Sequence, residues 1–505
     1  MKCVFVLFDT LNRRSLRPYN PDAPAMPNFE RLAARSTTFD NHYVGSLPCI
    51  PARRELHTGR YNFMHRSWGP LEPFDESLPQ NLVAQNVYSH MVTDHCHYFM
   101  DGGATYHTRY DSYEFVRGQE KDPWKAEVAP DWDSLRPQYH PVQFSDQPRN
   151  KLRQHIINRQ SIQDEADYPS VRCFDAAIEF LEKNGKADNW LLHLETFDPH
   201  EPFQAPERFR ASFPTPYDGP ILDWPPQGRL DAWPAEIAEL RANYHANLAL
   251  CDELLGRLLD HFDAHDLWRD TALIVTTDHG FLLGEHDYWA KNAMPVFNEV
   301  AHIPLFIWHP DHADAAGARR QALTQTIDLA PTIADVFGAP PPQFAQGFSL
   351  LPVLGDDHAV REAALFGLFG CAVNVTDGRY TYFRYPPDVH GGDLFQYTLM
   401  PTHITTRFSK EELRDLELAG PFAFTDGVRT MRIASTPKSP FYNRMGPGQL
   451  TETKSMQFDL ERDPLQLAPE DDPAQIERLT AIMLDMMRAS EAPPELYARL
   501  GLKAP

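Results

Sequence analysis

No stretch of this sequence approaches the roughly 20 consecutive apolar residues needed to cross a bilayer as a helix, which excludes a membrane-spanning helix. Met1–Phe8 is apolar but short and runs straight into Asp9. It lacks the longer apolar stretch and cleavage site of a secretory leader, so the expected location is the cytoplasm. Positive charge is scarce, with 47 Lys and Arg against 70 Asp and Glu and a net charge of −23. That balance argues against a nucleic-acid or anionic-membrane partner, and any anion site must be built from local cations. Cysteine is sparse too. Cys3, Cys49, Cys96, Cys173, Cys251 and Cys371 are scattered, with no metal-knuckle spacing. Their even count is weak evidence for disulfides in so long a chain. Internal repeats and low-complexity tracts are absent. What remains is 505 residues, 42% hydrophobic and 12% aromatic. That is enough for two packed domains, or one large and one small.

Several short apolar runs read as buried strands, each ending in polar residues. Cys3–Phe8 ends at Asp9, Trp190–Thr196 ends in Phe197-Asp198-Pro199-His200, and Ala272–Thr277 ends in Asp278-His279-Gly280. Helical patterns lie between them, as at Val171–Lys183 and Ala235–Ala264. This alternation predicts an α/β fold, in which ligands bind beyond the carboxyl ends of the strands. All three polar clusters fall there. Gly102–Asn150 shows little periodicity and reads as a long insertion over the strand ends. Its aromatics (Tyr106, Tyr110, Tyr113, Phe115, Trp124 and Trp132) suit either ring stacking on a ligand or ordinary packing. Thr326–Gly338 reads as a helix. Beyond Leu354 the pattern changes to a strand pair at Ala372–Tyr385 with an Asp377-Gly378 turn, a strand at Met456–Pro464 and a helix at Asp472–Ala489. The expected division is 1–355, containing the insertion at about 102–150, and 356–505.

The most specific motif is Cys49-Ile50-Pro51-Ala52-Arg53, followed by Leu56, Thr58, Gly59 and Arg60. Pro51 suits the first turn of a helix and Gly59 its end. Cys49 then sits at the N-terminus, where free N–H groups favour an anion and lower a thiol pKa. A buried cysteine before a short helix is the plain alternative. The longer run Cys-x-Pro-x-Arg-x-x-Leu-x-Thr-Gly-Arg resembles the signature of the type I sulfatases of the alkaline phosphatase superfamily. The resemblance covers nearly the whole chain. It implies an alkaline-phosphatase-like α/β/α sandwich with a large mixed, mostly parallel sheet, plus a smaller C-terminal antiparallel sheet packed with a helix. It also implies that a maturation enzyme oxidises Cys49 to formylglycine, whose hydrate is the nucleophile.

The same resemblance assigns one divalent metal to Asp9, the matured position 49, Asp278 and His279. Either aspartate alone would equally serve as a cap or turn residue. A histidine ligand favours Mn²⁺, with Ca²⁺ or Mg²⁺ as alternatives. Thr10 and His279 stand where many arylsulfatases have a second Asp and an Asn, a pattern resembling the branch of choline sulfatases and phosphonate monoester hydrolases. His95 and His97 map onto a Lys and a His that hold sulfate and help release it, although His is charged only part of the time near pH 7. His200 resembles the histidine that protonates the leaving oxygen. Lys291, thirteen residues after Asp278, matches a lysine that contacts the sulfate, and Arg53 is expected to stabilise formylglycine and the bound anion. Surface or packing roles are the ordinary fates of such residues.

These assignments imply hydrolysis of a small-molecule sulfate monoester, arylsulfatase-type. An ionised hydroxyl at position 49 attacks sulfur, His200 protonates the departing alcohol, and a second hydroxyl gives its proton to His97 as sulfate leaves. The alternative is a phosphonate monoester or phosphodiester hydrolase with the same nucleophile. Those enzymes resemble this chain less at His95 and His97, where they carry Tyr and Thr, and at His65–Pro70, where they tend to have an Asn. A third reading is an inactive sulfatase-like binding protein, against which the retained site residues argue. A homo-oligomer is expected from the branch.

Overall fold

The computed structural model describes residues 1–144, 151–230, 236–450 and 452–504. Its centre is an eight-stranded sheet of β1 (Lys2–Phe8), β2 (Thr37–Phe39), β3 (Tyr88–Thr93), β4 (Ser112–Phe115), β5 (Trp190–Thr196), β6 (Thr271–Thr276), β7 (Leu305–Trp308) and β8 (Arg319–Arg320), in spatial order β8-β2-β7-β6-β1-β5-β3-β4. β7 runs antiparallel to both its neighbours, and every other pairing is parallel. In β1, Val4 lies between Leu192 and Leu273, and all seven of its residues are buried. Burial on both faces explains the unbroken apolar run.

Successive side chains of a strand point to opposite faces, and β1 serves two cores accordingly. Val4, Val6 and Phe8 join the layer that includes Phe174 and Ala177 of helix Pro169–Asn184 and Leu248 and Leu255 of helix Ile237–Ala264. Cys3, Phe5 and Leu7 join Leu56 of helix Cys49–Thr58 and Leu329 and Ile333 of helix Leu329–Val336. The result is an α/β/α sandwich, as the sequence predicts. We call these helices α1 (Cys49–Thr58), α2 (Pro169–Asn184), α3 (Ile237–Ala264) and α4 (Leu329–Val336). Position 235, at the expected start of α3, lies outside the described residues.

A second sheet has the order Met456–Asp459, Tyr380–Arg384, Val373–Thr376, Ala364–Leu368 and Ser46–Leu47. The first four are antiparallel, and Gly378 turns the central hairpin with φ +89°. Helix α5 (Pro473–Ala489) places Leu479, Met483 and Met487 against Leu365, Val373 and Tyr382. Its cap, Asp472, accepts hydrogen bonds from the backbone of Ala474 and Gln475. Ser46–Leu47 joins this sheet parallel to Ala364–Leu368. The C-terminal sheet therefore grips the chain two residues before Cys49.

The segment expected to be one long insertion is partly sheet. Ser112–Phe115 pairs in parallel with His90–Thr93 as the outermost strand. The sequence hides it because an edge strand with one half-open face carries no apolar run, and Tyr113 and Glu114 are exposed. The insertion's aromatics mostly pack on the protein itself. Phe115 stacks on Phe99 at 3.8 Å, Tyr106 meets Tyr98, and Trp132 joins the cluster of Tyr139, Leu152 and Ile156. Residues 145–150, at the end of this segment, lie outside the described residues. Among the described residues, no helix is long and apolar enough to cross a membrane.

Candidate active site

The carboxyl ends of β1, β5 and β6 meet the N-terminus of α1. The Asp9 N–H continues the β1–β5 ladder to Thr196 O at 3.0 Å. Thr10 then turns the chain with φ +65°, a conformation costly for a β-branched residue, of order 1–3 kcal/mol. Three contacts hold it there. Its N–H donates to Asp278 Oδ1 at 3.1 Å, its hydroxyl donates to Asp9 Oδ1 at 2.6 Å, and Lys291 Nζ donates to that hydroxyl at 3.0 Å. Thr10 thus ties both aspartates and the lysine together, a role the sequence did not reveal.

Cys49 is the first residue of α1, and Gly59 ends the helix in the left-handed region at φ +65°, as Pro51 and Gly59 suggest. Every residue of this helix is buried. Cys49 Sγ lies 3.2 Å from His279 Nε2. The expectation of a lowered thiol pKa is corrected here. Burial, reinforced by Asp9, pushes the Cys49 thiol well up despite the helix N-terminus.

The candidate ligand atoms of Asp9, Cys49, Asp278 and His279 all lie within 4.8 Å of one another. His279 Nδ1 donates to Gly280 O at 3.0 Å, which leaves Nε2 as the acceptor turned to the cluster. Burial holds His279 down to about 4, so the ring is neutral. Burial and then the Asp278 charge push Asp9 upward, as expected of a buried carboxylate beside a second one. Two carboxylates and a neutral imidazole nitrogen in a buried, negatively strained pocket fit a divalent cation.

Arg53, one turn into α1, is almost wholly buried and spends all five N–H donors on the protein. Nε and Nη2 reach Glu195 Oε1 at 2.7 and 2.6 Å, and Nη2 reaches Asp9 Oδ2 at 2.8 Å. Nη1 reaches Cys49 O at 3.0 Å and also Asp278 Oδ2. With all five donors on protein groups, two of them on Asp9 and Asp278, Arg53 faces the expected anion site through its charge. Its charge still contributes, and its contacts fix the cluster. Glu195 went unnoticed in the sequence, although an acidic residue inside the run Trp190–Thr196 is itself a signal.

Lys291 is buried, with Nζ also 3.7 Å from Glu201 Oε2. His200 directs Nδ1 to Glu201 O, leaving Nε2 for other partners. Burial and the nearby Lys291 charge hold His200 well below its usual range. His95 and His97 lie side by side, ring centroids 4.9 Å apart. Both nitrogens of His95 lack hydrogen-bond partners among the described residues, and burial keeps His95 neutral. Burial and Lys121 hold His97 down to about 3. Trp68 meets His97 edge-on at 5.3 Å. The structure therefore gathers Asp9, Cys49, Arg53, Asp278, His279 and Lys291 in one contact network. His95 and His97 form an adjoining pair, and His200 joins through Glu201. Glu120 and Lys121 are additional members, from a loop whose sequence gives no signal.

The Sulfatase family model matches residues 2–339, and the model for the C-terminal part of N-sulphoglucosamine sulphohydrolase matches residues 284–417. The multifunctional alkaline phosphatase superfamily protein PehA of Trinickia caryophylli is 27% identical over 395 residues, 65% of this chain and 71% of its own. Choline-sulfatase of Rhizobium meliloti (strain 1021) is 25% identical over 418 residues, 75% of this chain and 77% of its own. Among solved structures, the phosphonate monoester hydrolase of Agrobacterium radiobacter superposes with a TM-score of 0.66 at 20% identity, covering 98% of this chain and 97% of its own. At that identity the likeness bears on the fold alone. The Sulfatase match spans the chain from β1 to the end of α4, taking in every site residue above, and the chain belongs to the sulfatase family of enzymes.

Proposed function

We propose that this enzyme hydrolyses a small-molecule sulfate monoester at the pocket where β1, β5 and β6 meet α1. The observation that carries this reading is the convergence of Asp9, Cys49, Asp278 and His279 within 4.8 Å at a buried helix N-terminus. The reading has Cys49 matured to formylglycine, whose hydrate supplies the attacking oxygen. Asp9, Asp278 and His279 would hold one divalent ion, and the imidazole nitrogen favours Mn²⁺ over Ca²⁺ or Mg²⁺. When bound, that ion supplies positive charge beside the nucleophile and the sulfuryl oxygens. Because the whole of α1 is buried, a formylglycine-generating enzyme would meet this segment only before the chain folds.

The protein's own groups divide the remaining work. Lys291, anchored on Thr10, neutralises charge on the sulfuryl group. His200, its Nδ1 held by Glu201 O, delivers a proton from Nε2 to the departing oxygen. Burial and Lys291 disfavour its charged form, and an anionic ester bound beside it restores that form. His97, kept neutral, is the proton acceptor when sulfate is released. The C-terminal sheet (356–505 in the proposed division from a catalytic part, 1–355) anchors Ser46–Leu47, and with it the nucleophile.

The test is kcat/KM on matched aryl sulfate and aryl phosphonate monoesters, for enzyme co-expressed with a maturation enzyme, with Cys49→Ala alongside. A sulfate preference of orders of magnitude with a dead variant supports the reading. A phosphonate preference overturns the substrate assignment and leaves the nucleophile standing.

A further inference from the structure

A tetrahedral anion needs donors around its oxygens, and the expected donors at this site are largely spent. Arg53 commits three of its five N–H groups to Glu195 and the Cys49 carbonyl and the other two to Asp9 and Asp278, the proposed metal ligands. His95, in the place where the resemblance implies a lysine, keeps one ring N–H unpartnered among the described residues but, buried and neutral, brings no positive charge. Lys291 gives one N–H to Thr10 and lies near Glu201. Another cation enters from an unexpected place. Lys121 Nζ lies 2.8 and 3.0 Å from the two carboxylate oxygens of Glu120 and 3.4 Å from His97 Nε2. Candidate ligand atoms of Cys96, His97 and Glu120 lie within 4.8 Å of one another. The ammonium reaches two of these three residues, so the protein supplies its own cation there. Glu120 holds the backbone at φ +52°, which marks the loop as constrained at this point.

Two further observations connect this ammonium to a ligand. The Lys121 side chain is 31% exposed while Glu120 is 6% and His97 5%, so Lys121 is the member of the cluster that reaches towards the outside. Beside it, His97 Nδ1 and Trp68 Nε1 are buried without hydrogen-bond partners among the described residues. Their rings touch edge-on. Unpaired buried polar atoms are costly unless something else pairs with them. Together they outline a polar subsite next to the proposed proton acceptor.

We propose that Lys121 is a substrate-binding residue whose ammonium contacts a sulfuryl oxygen of the bound ester, adding a positive charge on the His97 side of the pocket. Glu120 orients it with both oxygens and is the group the ester oxygen competes with. The proposal rests on the reading of this pocket as a sulfate-ester site.

The test measures competitive inhibition by inorganic sulfate and inorganic phosphate, together with kcat and KM on an aryl sulfate, for wild type, Lys121→Gln, Lys121→Arg and Glu120→Gln. Lys121→Gln is expected to weaken anion inhibition and raise KM by about 10- to 100-fold, the scale of a charge-assisted hydrogen bond. Lys121→Arg keeps the charge in a bulkier, differently shaped group and should lose clearly less than Lys121→Gln. Glu120→Gln removes the competitor and should tighten anion binding, an effect opposite in sign that damage to the fold would not produce. Unchanged inhibition constants in Lys121→Gln, with only a shifted pH profile of kcat, would overturn the proposal and leave Lys121 acting through His97. If Lys121→Gln does not fold, weaker anion binding in Glu120→Gln overturns it equally. A wild type inhibited and saturated only by phosphate-type ligands would sink the sulfate reading, while the Lys121 comparison would still be read on phosphate.

Discussion

Glu195 Oε1 accepts two hydrogen bonds from the one guanidinium of Arg53, from Nε at 2.7 Å and Nη2 at 2.6 Å, while Tyr98 donates to Oε2 at 2.8 Å. Glu195 is thus the main counter-charge of a buried cation that also faces Asp9 and Asp278. Glu195→Gln keeps the shape and removes the charge. The unbalanced guanidinium would then compete with a divalent ion for both aspartates. The expected outcome is a roughly 10- to 100-fold loss of metal affinity, measured by titrating metal into the stripped enzyme. Unaltered affinity would reduce Glu195 to a packing role.

Cys49 sits at the head of a helix with no exposed residue, so its removal tests chemistry more than folding. Cys49→Ala removes only the sulfur, or the oxygen that replaces it on maturation, from a small side chain, and the melting temperature should barely move. Activity on an aryl sulfate should fall by about 10⁴- to 10⁶-fold, the scale of losing a nucleophile. Residual turnover within about 10-fold of wild type would end the covalent mechanism.

His200 makes a prediction that depends on the leaving group. A proton donor matters little when the departing oxygen is already a stable anion and greatly when it is a simple alcohol. For His200→Asn the loss of kcat should be within about 10-fold on nitrophenyl sulfate and about 10²- to 10⁴-fold on an alkyl or unactivated phenyl sulfate. A loss independent of leaving-group pKa would assign His200 to binding or positioning.

The sequence carried the strands well because β1, β5 and β6 are buried on both faces and must be apolar throughout. It carried α1 because Pro51 and Gly59 punctuate it. Polar residues at strand ends were legible as a class, and Asp9, Asp278 and His279 do converge. What stayed hidden depends on contacts between distant segments. The edge strand Ser112–Phe115 needs only a neighbour to pair with, so it leaves no apolar signature. The raised thiol of Cys49 follows from burial and then from Asp9, neither visible in the local motif. Likewise Arg53 reads as an anion binder until its five donors are traced to residues from position 9 to position 278. Glu120 and Lys121 lie in a loop without periodicity, and only the fold brings them to His97.

The helix that presents Cys49 is itself pinned by a buried ion pair, which makes stability fall at acid pH in a specific way. Asp75 accepts Arg54 Nε at 2.7 Å and Nη2 at 3.0 Å, with Arg60 at 3.3 Å, and its side chain is 1% exposed against 5% for Arg54. Burial alone would raise the Asp75 pKa, but Arg54 and then Arg60 outweigh it, and the net shift is downward. A depressed carboxylate pKa contributes stability that is present above the unfolded value, about 3.9, and is lost as pH falls through the folded value. Asp75→Asn leaves Arg54 buried without its hydrogen-bonded counter-charge, with Glu72 the remaining nearby carboxylate, and should cost about 3–5 kcal/mol near pH 7. The melting-temperature gap between wild type and variant should hold from neutral pH to about 4 and then narrow, as protonation does to Asp75 what the substitution did. Calorimetric scans between pH 7 and 3 measure that gap. A gap that stays constant to pH 3 would show that the pair gains nothing from the Asp75 charge.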